Sequence, residues 1–183
     1  YVRSFQDSNG DGIGDLPGIR SRLPYLAELG VDALWLTPFY PSPQADHGYD
    51  VADYCGVDPL FVTLGDFDEL LADAHGLGLR VTIDIVPNHT SDRHPWFRAS
   101  RSSKDSPFRD WYVWRADPPD QGAKDVVFPD QETSVWELDE KTGEYYLHKF
   151  YKHQPDLNVA NPAVRDELAQ VMAFWIEQGL SGF

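Results

Sequence analysis

The 183 residues suffice for one well-buried domain, and 42% hydrophobic with 25% charged residues is the balance of a globular chain. A formal net charge of −15 argues against nucleic acid, where Lys and Arg must face phosphates, and suits neutral ligands or cations instead. One cysteine, Cys55, excludes an intrachain disulfide and leans toward a reducing, cytoplasmic compartment, and no apolar run approaches the ~18 residues that would argue for a membrane.

In chain order, the first feature is an acidic loop. Asp7, Asn9 and Asp11 alternate, Gly12 follows, and Asp15 lies two residues past Ile13. Alternating oxygen-bearing residues in a tight turn suit a hard cation, with Asp7, Asn9, Asp11, the Ile13 carbonyl and Asp15 as ligands. Ca²⁺ is favoured over Mg²⁺ because so many protein oxygens are offered. The pattern matches the first nine positions of an EF-hand loop, but Gly18 stands where that motif places its bidentate Glu. The same residues also suit a solvated turn that caps the next helix.

Asp15 is placed to cap a helix with Pro17 in its first turn, and Leu16, Ile19, Leu23 and Leu26 form an apolar stripe. Pro24 interrupts the stripe, predicting a kink or two short helices. Val31 to Leu36, between Gly30 and Pro38, reads as a strand buried on both faces. Thr63 and Asp66 form a capping box ahead of Phe67, Leu70, Leu71 and Ala74, with Gly76 and Gly78 at the far end. Leu79 to Val86 is the next strand, and strand–helix–strand at this spacing predicts parallel pairing. Pro87 to Asn158 is rich in Asp, Pro, Trp and Tyr and is too long for a loop, so a small inserted subdomain is expected. Asn161 and Pro162 restart a helix with Val164, Leu168, Val171 and Trp175 on one face, and Leu180 to Phe183 begins another strand.

Polar residues gather after the strands. Asp46, His47, Gly48, Tyr49 and Asp50 follow the first, while Asp84, Asn88 and His89 close the second. A hexose needs hydrogen-bonding carboxylates and imidazoles for its hydroxyls and a ring for its C–H face, and Asp46, Tyr49 and His89 supply that set. Singly, Asp84 also suits a loop cap, His89 a satisfied core histidine and Tyr49 plain packing; their shared position at strand ends is what joins them.

Asp84-Ile-Val-Pro-Asn-His89 resembles the first signature region of the α-amylase family, glycoside hydrolase family 13. Gln154-Pro-Asp-Leu-Asn158 is similar to the fifth region of its oligo-1,6-glucosidase-type members, and Gly30 to Pro38 to the region on their second barrel strand. The Asp7–Asp15 loop and Asp46-His-Gly-Tyr-Asp50 resemble the metal loop and pocket motif of the α-glucosidase branch. The resemblance implies an α/β fold, about the first half of a (β/α)8 barrel: barrel at 1–86 from a remnant of strand 1 to strand 3, domain B at 87–158, and barrel again at 159–183. It implies that Asp46, Tyr49, His89 and Phe150 hold the non-reducing-end glucose, supported by Asp84 and Asn88, with a structural Ca²⁺ on the acidic loop. The implied activity is retaining α-glucoside hydrolysis or transglucosylation.

His47, Val62 and Val159 depart from the branch's usual Asn, Gly and Trp; at Val62 a turn that needs positive φ would be strained. Val126 to Asn158 also resembles trehalose synthases, including His153 before Gln154, so maltose isomerisation is a second expectation. A third, from another class, is a non-catalytic amylase-like subunit. The family's nucleophile follows a Gly-Phe-Arg motif, and its general acid lies on a later strand. Both are therefore expected beyond Phe183, and the chain is expected to be an N-terminal fragment that is inactive alone.

Overall fold

The computed structural model describes residues 1–118 and 125–183; residues 119–124 of the inserted stretch lie outside it. By contact density the chain divides into two units. The first comprises Tyr1–Ser42, Asp53–Ile85 and Gln170–Phe183, the second Pro43–Ala52 and Val86–Ala169. The 43–52 loop thus groups with the inserted stretch rather than with the flanking barrel segments, because its hydrogen bonds run to His89, Ser91 and Gln154.

In the first unit, β1 (Ala33–Leu36) and β2 (Arg80–Ile83) pair in parallel, joined through α4 (Leu64–Gly76). Helix α4 starts at the expected capping box: Thr63 Oγ1 accepts from Asp66 N at 3.2 Å, while Thr63 N donates to Asp66 Oδ2 at 3.0 Å. Its apolar face, Phe67, Leu70, Leu71 and Ala74, is buried. The stripe broken by Pro24 becomes two helices, α2 (Leu16–Ser21) and α3 (Leu23–Leu29). Phe39, Phe67 and Trp175 form the aromatic centre, their centroids 5.0–5.6 Å apart. The buried Trp175 indole donates to the Tyr54 carbonyl at 2.8 Å, so the largest core ring keeps its polar atom satisfied.

Two expectations need correction. The strand at Val31–Leu36 is shorter and is not buried on both faces: Trp35 is 60% exposed and only Leu36 is buried. Strand β1 has β2 on one edge and no other strand of the sheet beside it among the described residues. The opening residues do not continue a strand either, since Val2–Phe5 forms one helical turn, α1. The end of the chain behaves as expected: Gly182 forms a parallel bridge with Thr82, and Ser181 N donates to the Val81 carbonyl.

The second unit is the inserted subdomain, and it runs on to Ala169, past the expected boundary at Asn158, because Val164 and Leu168 of the following helix join its core. Strands β3 (Trp114–Arg115), β4 (Trp136–Asp139) and β5 (Glu144–Leu147) form an antiparallel sheet in the order β3–β5–β4. Helix α5 (Pro95–Ser100) and the first half of α6 (Pro162–Glu177) complete it. Phe97, Tyr112, Tyr146, Leu157, Val164 and Leu168 make its core. Asp139, buried in the sheet, receives Arg101 Nη2 at 2.5 Å and Thr142 Oγ1 at 2.7 Å. Burial raises its carboxyl, but these bonds outweigh it and hold the group below the ordinary range.

Candidate sugar-binding site

The second unit gathers most of the expected pocket. Asp50, fully buried, accepts from Ala45 N at 2.9 Å and Asp46 N at 3.0 Å, closing the 45–50 turn. That turn aims the half-buried Asp46 carboxylate at Gln154, whose Nε2 donates to Asp46 Oδ2 at 2.8 Å. Tyr49 N donates to the Asp46 carbonyl, and the Tyr49 carbonyl lies 3.2 Å from His89 Nε2. On the other side of the imidazole, Asn88 Nδ2 stands 3.2 Å from His89 Nδ1 and donates to Asp156 Oδ1 at 3.1 Å. The Phe150 ring lies against His89, 5.1 Å between centroids. Asp46, Tyr49, Asn88, His89 and Phe150 therefore form one connected cluster.

Burial sets the charges. It lowers the His89 imidazole to about 4, so the ring is neutral at neutral pH. The same cause pushes the Asp156 carboxyl up to about 6 despite bonds from Lys149 N and Asn88. A carboxylate, an amide, a neutral imidazole and an aromatic edge together suit the hydroxyls and C–H face of a neutral sugar.

Gln154 and Asp156 were absent from the expected site set, and Asp50 was not given its shaping role. The first two partner residues 108 and 68 positions away, a separation that local spacing does not reveal. Asp84 falls in the first unit. There its carboxylate accepts from Trp35 Nε1 at 2.9 Å and its carbonyl from Tyr40 Oη at 2.6 Å.

The acidic loop is ordered by its own main chain. Asp7 Oδ1 accepts from Asn9 N and Gly10 N, Asp7 Oδ2 from Gly12 N at 2.8 Å, and Asp11 Oδ1 from Ile13 N at 2.8 Å. The bonds from Gly12 and Gly10 hold the Asp7 carboxyl below its usual range. Asp15 is buried and caps α2 through Gly18 N at 2.7 Å while accepting from Ser8. Gly18 explains the missing EF-hand Glu, because a Cβ there would lie 1.9 Å from the Gln6 carbonyl oxygen. Among the described residues, no three Asp, Glu, His or Cys side chains converge to hold a metal. By donor type the loop still fits a hard cation, with Asn9 and the Ile13 carbonyl as oxygens beside the carboxylates.

The entire chain, residues 1–183, matches the family model "Alpha amylase, catalytic domain". The chain belongs to the α-amylase catalytic-domain family. This α-amylase-family chain is 55% identical over 183 residues to a probable α-glucosidase of Rhizobium meliloti, all of the chain against 33% of that protein. It is 53% identical to a trehalose synthase of Pimelobacter sp., all of the chain against 32%. Oligo-1,6-glucosidases also stand among its relatives. Among solved structures, the trehalulose synthase MutB of Pseudomonas mesoacidophila matches with a TM-score of 0.93 at 48% identity, covering all of the chain and 33% of that protein. The chain thus spans about a third of the length of the curated relatives it matches. Its β1–α4–β2 unit is part of a (β/α)8 barrel, with the second unit as the inserted subdomain.

Proposed function

We propose that an enzyme carrying this chain is a retaining α-glucoside hydrolase or transglucosidase that takes the non-reducing end of short α-glucosides. The observation that carries this is the Asp46–Gln154 contact beside His89 and Phe150, which joins a carboxylate, an amide and a ring in one small cluster. Such a set recognises the hydroxyl-rich terminal glucose of a chain. Retention would need two carboxylates about 5–5.5 Å apart, which the resemblance assigns to residues past Phe183. The 183 residues alone are therefore expected not to turn over a nitrophenyl α-glucoside.

Trehalose synthesis from maltose is the second reading, favoured by the 53% identity to a trehalose synthase. Product analysis on maltose separates the two: glucose supports hydrolysis, trehalose the isomerase, and no conversion of any α-glucoside contradicts both.

The Asp7–Asp15 loop would hold a structural Ca²⁺ through Asp7, Asn9, Asp11, the Ile13 carbonyl and Asp15, supplying charge neutralisation and rigidity. The ionised Asp7 and the all-oxygen donor set support this. Calorimetric titration with Ca²⁺ should show one site that Asp7→Asn with Asp11→Asn removes; equal binding by that variant would count against the loop.

A further inference from the structure

The contacts around His89 fix the position of its proton as well as its place. An ionised carboxylate only accepts hydrogen bonds. Asp156 Oδ1 takes two, from Lys149 N at 3.0 Å and from Asn88 Nδ2 at 3.1 Å. The amide nitrogen of Asn88 carries two hydrogens, and His89 Nδ1 lies 3.2 Å from it. Turning this amide over would set its oxygen against the carboxylate, so the charge on Asp156 selects the orientation in which nitrogen faces both partners. His89 Nδ1 is then an acceptor, and the ring proton belongs on Nε2. There it faces the Tyr49 carbonyl at 3.2 Å, a group that only accepts. All four contacts agree on one proton arrangement.

The backbone keeps the parts in register. His89 and Asp156 sit opposite each other in an antiparallel bridge, and Leu157 N donates to the Asn88 carbonyl at 2.8 Å. Asp156 is 5% exposed, so little water competes for its oxygens.

We propose that Asp156 is a positioning residue which, through Asn88, holds the His89 imidazole in its Nε2–H tautomer and so keeps that proton on the Tyr49 carbonyl, tying the ring to the 45–50 turn that carries Asp46. The functional importance of this choice rests on reading the Asp46–His89 cluster as the glucose pocket. The tautomer itself does not. Because His89 is neutral down to about pH 4, a tautomer choice exists through the neutral range. The charge on Asp156 and its hold on Asn88 weaken as the pH falls below about 6. The charged or titratable groups bearing on the pair are Lys149 at Asp156, and Asp50 and His153 at His89.

The test is nitrogen NMR of the 183-residue chain labelled at histidine, near pH 7.5. His89 is expected as a single form, protonated at Nε2 and bare at Nδ1. Asp156→Ala and Asn88→Ala should each let a measurable Nδ1–H population appear beside the form that the Tyr49 carbonyl still favours, and Asp156→Asn, which keeps an acceptor oxygen in place, should restore most of the single form. A wild-type His89 protonated at Nδ1 overturns the proposal before any variant is made, so a variant that fails to fold leaves it testable. Unchanged tautomers in a folded Asp156→Ala or Asn88→Ala overturn it too. Adding methyl α-glucoside separates the two ideas: absence of any shift at His89 counts against the pocket while leaving the tautomer assignment standing.

Discussion

At the scale of single residues, Val62 shows how a departure legible in sequence becomes a physical strain. It has φ 87° and ψ −117°, a region that a β-branched residue reaches only under constraint. The constraint comes from the preceding one-turn helix, Pro59–Phe61, which Asp58 caps at Leu60 N, and from the capping box that begins at the next residue, Thr63. Val62→Gly should therefore raise stability by about 1 kcal/mol net of glycine's added freedom when unfolded, or about 2–4 °C in Tm, by thermal melting. A lowered Tm would contradict the strain. Other single-residue roles were less legible. Asp46 and His89 stood out through their neighbours in the chain, whereas Gln154 and Asp156 acquire their roles only when residues 108 and 68 positions away fold against them.

At the scale of elements, local chemistry was most readable where it closes on itself. The capping box of α4 lies within four consecutive residues, and Thr63→Ala should cost about 1 kcal/mol, measured as a lower denaturant midpoint with the slope unchanged. The two-helix outcome at Pro24 needed only the proline ring. Strand burial was not readable in the same way. Apolar residues from Val31 to Leu36 state what is able to be covered, yet the cover of Trp35 depends on neighbours that the strand does not specify. The opening turn Val2–Phe5 has no side-chain cap and too few residues for a periodic signal. The EF-hand likeness failed at its twelfth position for an element-level reason, since the main chain at Gly18 passes too close to Gln6 for any side chain.

At the scale of the whole molecule, its buried titratable groups predict how stability depends on pH. Burial holds His89 at about 4 and His94 at about 3, both below the ordinary 6.5. A depressed histidine leaves the folded state with fewer protons than the unfolded chain, so its contribution is full above 6.5 and lost as the pH falls. Asp156, raised to about 6, acts with the opposite sign between about 6 and its ordinary value of 3.8. Two histidines outweigh one carboxyl, and the lowered Asp139 adds a further loss in stronger acid. Urea midpoints should therefore decline as the pH falls from about 6.5 toward 4.5, and a flat or rising midpoint would contradict the neutral, buried histidines. The division into a barrel segment and an inserted subdomain was legible from element order and loop length, because both follow from local pattern. How the 43–52 loop groups was not, since that depends on contacts made across the sequence.

If Asp46, His89 and Phe150 receive the non-reducing end of a sugar chain, blocking that end must stop turnover. The most direct measurement compares, on an enzyme carrying this chain and with no other glycosidase present, chromatographic loss of an α-linked nitrophenyl maltotrioside with loss of the same compound blocked at O4 and O6 of its terminal glucose. Turnover of the open compound and essentially none of the blocked one is expected, whereas equal rates on both would contradict a pocket for the terminal glucose.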